Sequence, residues 1–268
     1  MTPLTACPRA TLAAVKGVLT DIDETVSTDG RLTAEAYGAL EALKKAGLLV
    51  IPVTGRPAGW CDHIARFWPV DAVVGENGAF WMWQDAKVGR LQTRFIQTDA
   101  QRAEGRRRLD TVKADVLREV PGTAIASDQP YRLADLAIDF CEDVPPLPRA
   151  AVDRIVAIFE RHGASAKVSS IHVNGWFGAY DKLTTSRTMM RELFGVDLDT
   201  DGEKARYVFV GDSPNDSPMF GFFPNAVGVA NVAAVADTMP YLPRWIAAAR
   251  SGAGFVELAR VLIDARHG

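Results

Sequence analysis

An α/β fold built on a parallel sheet and interrupted by an α+β insertion is what the sequence predicts, and three observations carry it. Short apolar runs at residues 17–20, 48–53 and 72–74 alternate with helical spacing, as strands covered on both faces do. The same pattern returns at 207–210 and 226–229. Between these halves, hairpin-like and helical segments follow one another without that alternation, which marks a module of a different kind.

The elements follow in order. The run at 17–20 ends abruptly in acid, Asp21-Ile22-Asp23-Glu24, and then in a polar loop, Ser27-Thr28-Asp29-Gly30. Thr33 is placed to cap a helix reaching Ala46, with Tyr37, Leu40 and Leu43 near helical spacing, and Gly47 ends it. The strand at 48–53 stops at Thr54-Gly55-Arg56-Pro57, and the one at 72–74 at Gly75-Glu76-Asn77-Gly78. Segments 79–83 and 90–97 read as a hairpin around Lys87-Val88-Gly89. A long polar helix is expected over 99–119 and a strand over 133–140. A proline-rich linker at 144–148, a helix over 150–162 and a single strand over 166–173 come next. Helix 183–194, strands 207–210 and 226–229 and an amphipathic helix over 256–265 resume the first pattern.

Composition bounds the function. The chain has 268 residues, 48% hydrophobic and 24% charged, values of an ordinary globular protein and not of a disordered, collagenous or channel-forming one. A net charge of −3 lacks the basic excess of a nucleic-acid binder. The run Arg106-Arg107-Arg108 is too short to change this; it reads as a solvated helix face, with contact to an anionic substrate as the other reading. Cys7, Cys61 and Cys141 are scattered and form no Cys-x-x-Cys pair, which argues against zinc or a disulfide framework and for a reducing compartment. Pro3, Pro8 and Arg9 interrupt any signal-peptide core, and no apolar stretch approaches a bilayer span. The expectation is a cytoplasmic protein with neither nucleic-acid nor membrane partner; oligomeric state is left open.

The chemistry lies at strand ends. Asp21 and Asp23 follow an apolar strand, at the carboxyl edge where open α/β sheets bind ligands. Two such carboxylates repel unless a cation bridges them, and a hard divalent ion with oxygen ligands, Mg²⁺, suits them. Alone, an Asp-x-Asp pair reads equally as a solvated turn. A second acidic strand end, Gly211-Asp212-Ser213-Pro214-Asn215-Asp216, can serve the same ion, although Ser213-Pro214 also reads as a helix start with Asp212 near its cap. Thr54 and Gly55 offer a hydroxyl and backbone N–H groups as a phosphate cradle, or simply a strand-ending turn. Lys182 begins a helix, where a cation is disfavoured unless a phosphate and an aspartate offset it.

These four segments, in this order, resemble the motifs of the haloacid dehalogenase superfamily. Asp21-Ile22-Asp23-Glu24-Thr25-Val26 resembles the first, Thr54 the second, Lys182 the third and Gly211-Asp212-x-x-Asn215-Asp216 the fourth. The resemblance implies a Rossmann-like core of residues 1–83 and 180–268 with an α+β cap, 84–179, inserted between the second and third motifs. That placement, with Gly75-Glu76-Asn77-Gly78-Ala79 before it, is similar to the Cof-like branch, which includes sugar-phosphate, sucrose-phosphate and mannosyl-phosphoglycerate phosphatases.

The resemblance further implies an Mg²⁺-dependent phosphatase of a small phosphate ester, such as a sugar phosphate or phosphorylated glycoside. Asp21 would be the nucleophile forming an aspartyl phosphate, and Asp23 the acid and base. Asp21, Asp23 through its carbonyl, Asp212 and Asp216 would serve the metal. Thr54, Gly55, Lys182 and Asn215 would hold phosphate. Arg56, Asn77, Ser170, His172 and Asn174 are the candidates for substrate specificity; the last three share one face if the strand at 166–173 continues through them. A phosphomutase of the phosphomannomutase type and a non-catalytic sugar-phosphate sensor are the alternatives.

Overall fold

The computed structural model describes residues 1–169 and 171–266. In chain order its first part runs β1 (Thr2–Pro3), α1 (Arg9–Ala13), β2 (Gly17–Thr20), α2 (Ala34–Lys45), β3 (Leu49–Pro52), α3 (Ala58–Phe67), β4 (Val73–Gly75), β5 (Phe80–Asp85) and β6 (Arg90–Phe95). Then come α4 (Asp99–Glu119), β7 (Ala124–Ile125), β8 (Leu136–Asp139), α5 (Arg149–Arg161), β9 (Ser165–Val168) and β10 (His172–Trp176). Helix α6 (Lys182–Phe194), β11 (Tyr207–Gly211), α7 (Ser217–Phe222), β12 (Val227–Gly228), β13 (Trp245–Ile246) and α8 (Ser251–Arg266) complete it.

The central sheet has the order β1-β13-β12-β11-β2-β3, and every pairing in it is parallel. Its apolar runs divide between two faces with period two. Val18, Val50, Val208 and Val210 pack toward α2 and α8, while Leu19, Ile51 and Phe209 face the cluster that holds Met189 and Met190 of α6 and Phe220 of α7. Full burial of such side chains contributes about 1.5–3 kcal/mol each. Thr33 caps α2 by accepting the Ala36 N–H, as its sequence position indicated.

A second sheet, β4-β5-β6, is an antiparallel hairpin extending β4. The third, β7-β8-β10-β9, is antiparallel, with α4 and α5 on one face. Gly175 is required there: a Cβ would lie 2.1 Å from the Phe159 ring of α5. The opposite face, bearing Ala137, Asp139, His172 and Asn174, turns toward the carboxyl edge of the central sheet.

Two expectations are corrected. The single strand over 166–173 is two strands, β9 and β10, paired antiparallel. Ser169 closes the turn: its Oγ accepts the N–H of Ile171 and His172 and donates to the His172 carbonyl. The strand over 133–140 begins only at Leu136, because the N–H groups of Leu133, Ala134 and Asp135 donate to the Glu76 carboxylate instead of a strand partner. No helix of the described residues is long and apolar enough to cross a membrane.

Candidate active site

The register of three parallel strands assembles the site. Thr20 of β2 is level with Val210 of β11 and with Pro52 of β3. Asp21, Asp212 and Thr54 therefore emerge one or two residues past that level, at a single carboxyl edge. The chain leaves β2 for β3 on one side and returns to β11 on the other, so this edge is a topological switch point.

Carboxylate oxygens of Asp21, Asp212 and Asp216 lie within 4.8 Å of one another, all three residues buried. Lys182, 4% exposed, places Nζ 2.9 Å from Asp21 Oδ1 and 2.8 Å from Asp216 Oδ1. This contact offsets the cost of a cation at the start of α6, whose N-cap is Asp181. The second Asp216 oxygen accepts the N–H groups of Asp212 and Ser213 and shapes that loop. Asp212 accepts from Thr25 Oγ1 at 3.0 Å and from Asn231 Nδ2 at 2.9 Å.

The electrostatics follow from crowding. Burial pushes the Asp21 carboxyl up to about 7, with Lys182 opposing and Asp216 and Asp23 adding to the rise. Burial and then the charges of Asp21 and Asp216 push Asp212 up to about 8. The same two carboxylates, Asp21 and Asp216, raise Lys182 against its own desolvation. Three buried carboxylates face one ammonium, and each offers an oxygen as a side-chain ligand. That set fits a hard divalent cation such as Mg²⁺.

Asp23 stands outside the carboxylate cluster. Its carboxylate is gripped by Arg56, with Nε 2.9 and 3.0 Å from its two oxygens and Nη2 2.8 Å from Oδ1. Thr54 Oγ1 accepts the Arg56 N–H and so closes the turn after β3. A cavity beside Asp21 and Asp23 is lined by Gly55, Arg56, Ser213 and Asn215 from the edge of the central sheet. Arg132, Ser169, Ile171, His172 and Asn174 line it from the third sheet and its loops. Asn77, at φ +55°, adjoins a second cavity with Lys182 and Asn215. Ser170 lies outside the described residues.

Several residues at the site carry no motif. Arg132 forks onto Asp128 and Asp135 and donates to the Gly55 carbonyl at 2.9 Å. Asp135 accepts from Asn174 at 3.2 Å. Glu142 lies 2.8 Å from His172 Nε2 and 3.5 Å from Arg56 Nη1. The His172 contact, with Arg56 adding to it, holds the Glu142 carboxyl below its usual range despite partial burial. Glu76 accepts the N–H groups of Ala58, Leu133, Ala134 and Asp135, joining the loop after β3 to the third sheet. Burial and Asp135 push the Glu76 carboxyl up to about 7, against donors that favour its anion. Of Arg132, Asp128, Asp135, Glu142 and Glu76, only Glu76 had a sequence signal, as part of Gly75-Glu76-Asn77-Gly78-Ala79.

Residues 18–103 match the sequence model of haloacid dehalogenase-like hydrolases. Sequence comparison with curated proteins yields no match. Among solved structures, the C-terminal domain of a Candida albicans trehalose-6-phosphate phosphatase superposes with a TM-score of 0.71 at 12% identity, covering 98% of this chain and 99% of that one. A HAD/COF-like hydrolase from Plasmodium vivax gives 0.68 at 16% identity, covering 96% and 99%. The sucrose-phosphatase of Synechocystis, solved with sucrose and phosphate, gives 0.63 at 15% identity, covering 92% and 98%. At these identities the structural likeness is one of fold.

Proposed function

As a haloacid dehalogenase-like hydrolase of the Cof-like kind, this chain has a known type of core to work from, and we propose that it is an Mg²⁺-dependent phosphatase of a small phosphorylated metabolite, a sugar phosphate or phosphorylated glycoside. The observation that carries the reading is the buried Asp21–Lys182–Asp216 triad beside Asp212, with Asp21 lining a cavity roofed by His172 and Asn174. In this reading residues 84–179 act as the cap over a core of 1–83 and 180–268.

Asp21 attacks phosphorus, and the bond from phosphorus to the leaving oxygen breaks. Asp23 gives that oxygen its proton. Water then attacks the aspartyl phosphate, its proton passes to Asp23, and Asp21 and inorganic phosphate are released. Lys182, Gly55, Thr54 and Asn215 steady the phosphoryl oxygens where charge accumulates. Asp21, Asp212, Asp216 and the Asp23 carbonyl would hold Mg²⁺, which when bound neutralises these carboxylates toward the anionic substrate. The polar roof contributed by His172 and Asn174 suits hydroxyls of a sugar leaving group.

The test is phosphate release from a panel of phosphorylated metabolites with Mg²⁺. Asp21→Asn is expected to keep the fold and abolish release. Normal turnover by that variant refutes the nucleophile, and isomer formation without release assigns a mutase instead.

A further inference from the structure

The buried charges between the central and third sheets form an alternating chain that starts at the acid-base residue. Asp23 is held by Arg56, and Arg56 Nη1 lies 3.8 Å from Asp128. Asp128 is forked by Arg132, which also holds Asp135. A branch runs from Arg56 through Glu142 to His172. Arg56 is 6% exposed and its guanidinium sits 4.4 Å over the Trp60 ring. The Arg56 head therefore has contacts on every side, and rotation of its fork would break several at once.

The chain crosses a division in the molecule. Asp23, Arg56 and Trp60 belong to the half that carries the central sheet; Asp128, Arg132, Asp135, Glu142 and His172 belong to the unit built on the third sheet. The cavity at Asp21 and Asp23 between them measures about 20 Å³, enough for a water and not for a sugar phosphate, while a groove of about 550 Å³ runs from Asp212, Ser213 and Asn215 to Lys167 and Ser169. Seating a phosphate ester between Asp21, Asp23 and His172 requires the two units to part. Parting breaks the contacts of Arg56 with Asp128 and Glu142 and leaves the one with Asp23. The full set of contacts on Arg56 exists only when the units are closed.

We propose that Arg56 is a positioning residue that holds the plane of the Asp23 carboxyl group so that, when protonated, its O–H faces the leaving oxygen, and that Glu142 fixes Arg56 in that pose only when the cap is closed. This rests on the reading of Asp23 as acid in a phosphatase. A bidentate fork fixes the carboxylate plane as well as its place. Only an ester whose leaving group needs a proton benefits from that aim.

The test compares kcat/KM for p-nitrophenyl phosphate, whose leaving group departs without a proton, with that for an alkyl phosphate, whose leaving group requires one. The quantity kcat/KM reports the first transfer, so later hydrolysis of the aspartyl phosphate does not obscure it. Arg56→Ala is expected to lower the alkyl-to-nitrophenyl ratio by on the order of 10–100-fold, part of what a general acid contributes. Arg56→Lys keeps the charge and loses the fork, and is expected to restore the ratio only in part. Glu142→Gln, at a half-buried position that tolerates a polar isostere, should lower the ratio several-fold with little change in thermal stability. An equal loss on both esters, or an unchanged ratio in Glu142→Gln, overturns the inference while leaving the phosphatase standing. Failure of the wild type to cleave either ester overturns both.

Discussion

Replacing Lys182 with methionine separates the electrostatic role of this lysine from its bulk. The side chain is 4% exposed, and its ammonium contacts Asp21 at 2.9 Å and Asp216 at 2.8 Å. Methionine fills similar space and leaves two buried carboxylates, with Asp212 beside them, facing no cation. Removing one partner of a buried ion pair costs about 3–5 kcal/mol, a large share of the roughly 5–15 kcal/mol that holds a domain folded. The cost depends on pH in a direction that can be worked out. Lys182 lowers the Asp21 carboxyl, which already sits at about 7. Without the lysine it moves higher, so the folded variant binds protons that the unfolded chain, near 3.9, has lost. Stability therefore falls as pH rises through the interval between those values. Urea unfolding at pH 5.5 and pH 8 should show a deficit that is small at the lower pH and approaches the full cost at the higher. Mg²⁺ should recover part of it at pH 8. A variant as stable as wild type at pH 8, or a deficit independent of pH, refutes the argument.

Three further outcomes follow from the geometry. Mg²⁺ at 100 times its dissociation constant should raise unfolding stability by about 2.7 kcal/mol, reversed by EDTA; a thermal midpoint indifferent to both removes the metal. Glu76→Gln places an NH₂ group against two of the four N–H donors that meet this carboxylate, whichever way the amide turns. At about 1–3 kcal/mol for each unsatisfied donor, calorimetry or urea titration should find a loss of roughly 2–6 kcal/mol, and one below about 0.5 kcal/mol would count against the clasp. His172→Ala, which empties the cavity roof and frees Glu142, should reduce kcat/KM for the best substrate by about two- to tenfold, the value of one hydrogen bond to a neutral hydroxyl; unchanged kinetics on every substrate deny His172 a part in recognition.

What the sequence revealed was local. Three of the four core motifs are strand ends and the other, Lys182, opens a helix; the register of β2 with β3 and β11 needs only apolar runs of matching length to bring Asp21, Asp212 and Thr54 together. Thr33 and Gly47 act within one turn of the helix they bound, so the limits of α2 could be read directly. The clasp between the sheets could not. Glu76 meets N–H groups 57 to 59 residues away, and Arg132 reaches a carbonyl 77 residues back. Nothing in the spacing of Asp128, Arg132 and Asp135 separates them from an exposed charged turn. The broken strand at 169 failed for a related reason: a serine in an alternating run looks like any outward residue until its hydroxyl is seen closing the turn.

The distribution of charge shows how an acidic chain can handle an anionic ester. At the carboxyl edge three cations are shared: Lys182 between Asp21 and Asp216, Arg56 between Asp23 and the carboxylates of the third-sheet unit, Arg132 between Asp128 and Asp135. None can turn to a phosphate without weakening its hold on a buried carboxylate, a loss that costs more than a surface ion pair returns. Of these three, Lys182 is the one whose partners are also candidate metal ligands. A divalent ion on Asp21, Asp212 and Asp216 lowers the demand those carboxylates place on Lys182, leaving its ammonium able to serve phosphate. Arg56 and Arg132 have no such substitute, because their carboxylates lie outside the metal cluster. They are therefore suited to fixing geometry and Lys182 to binding the phosphoryl group, a division that composition and a net charge of −3 could not disclose.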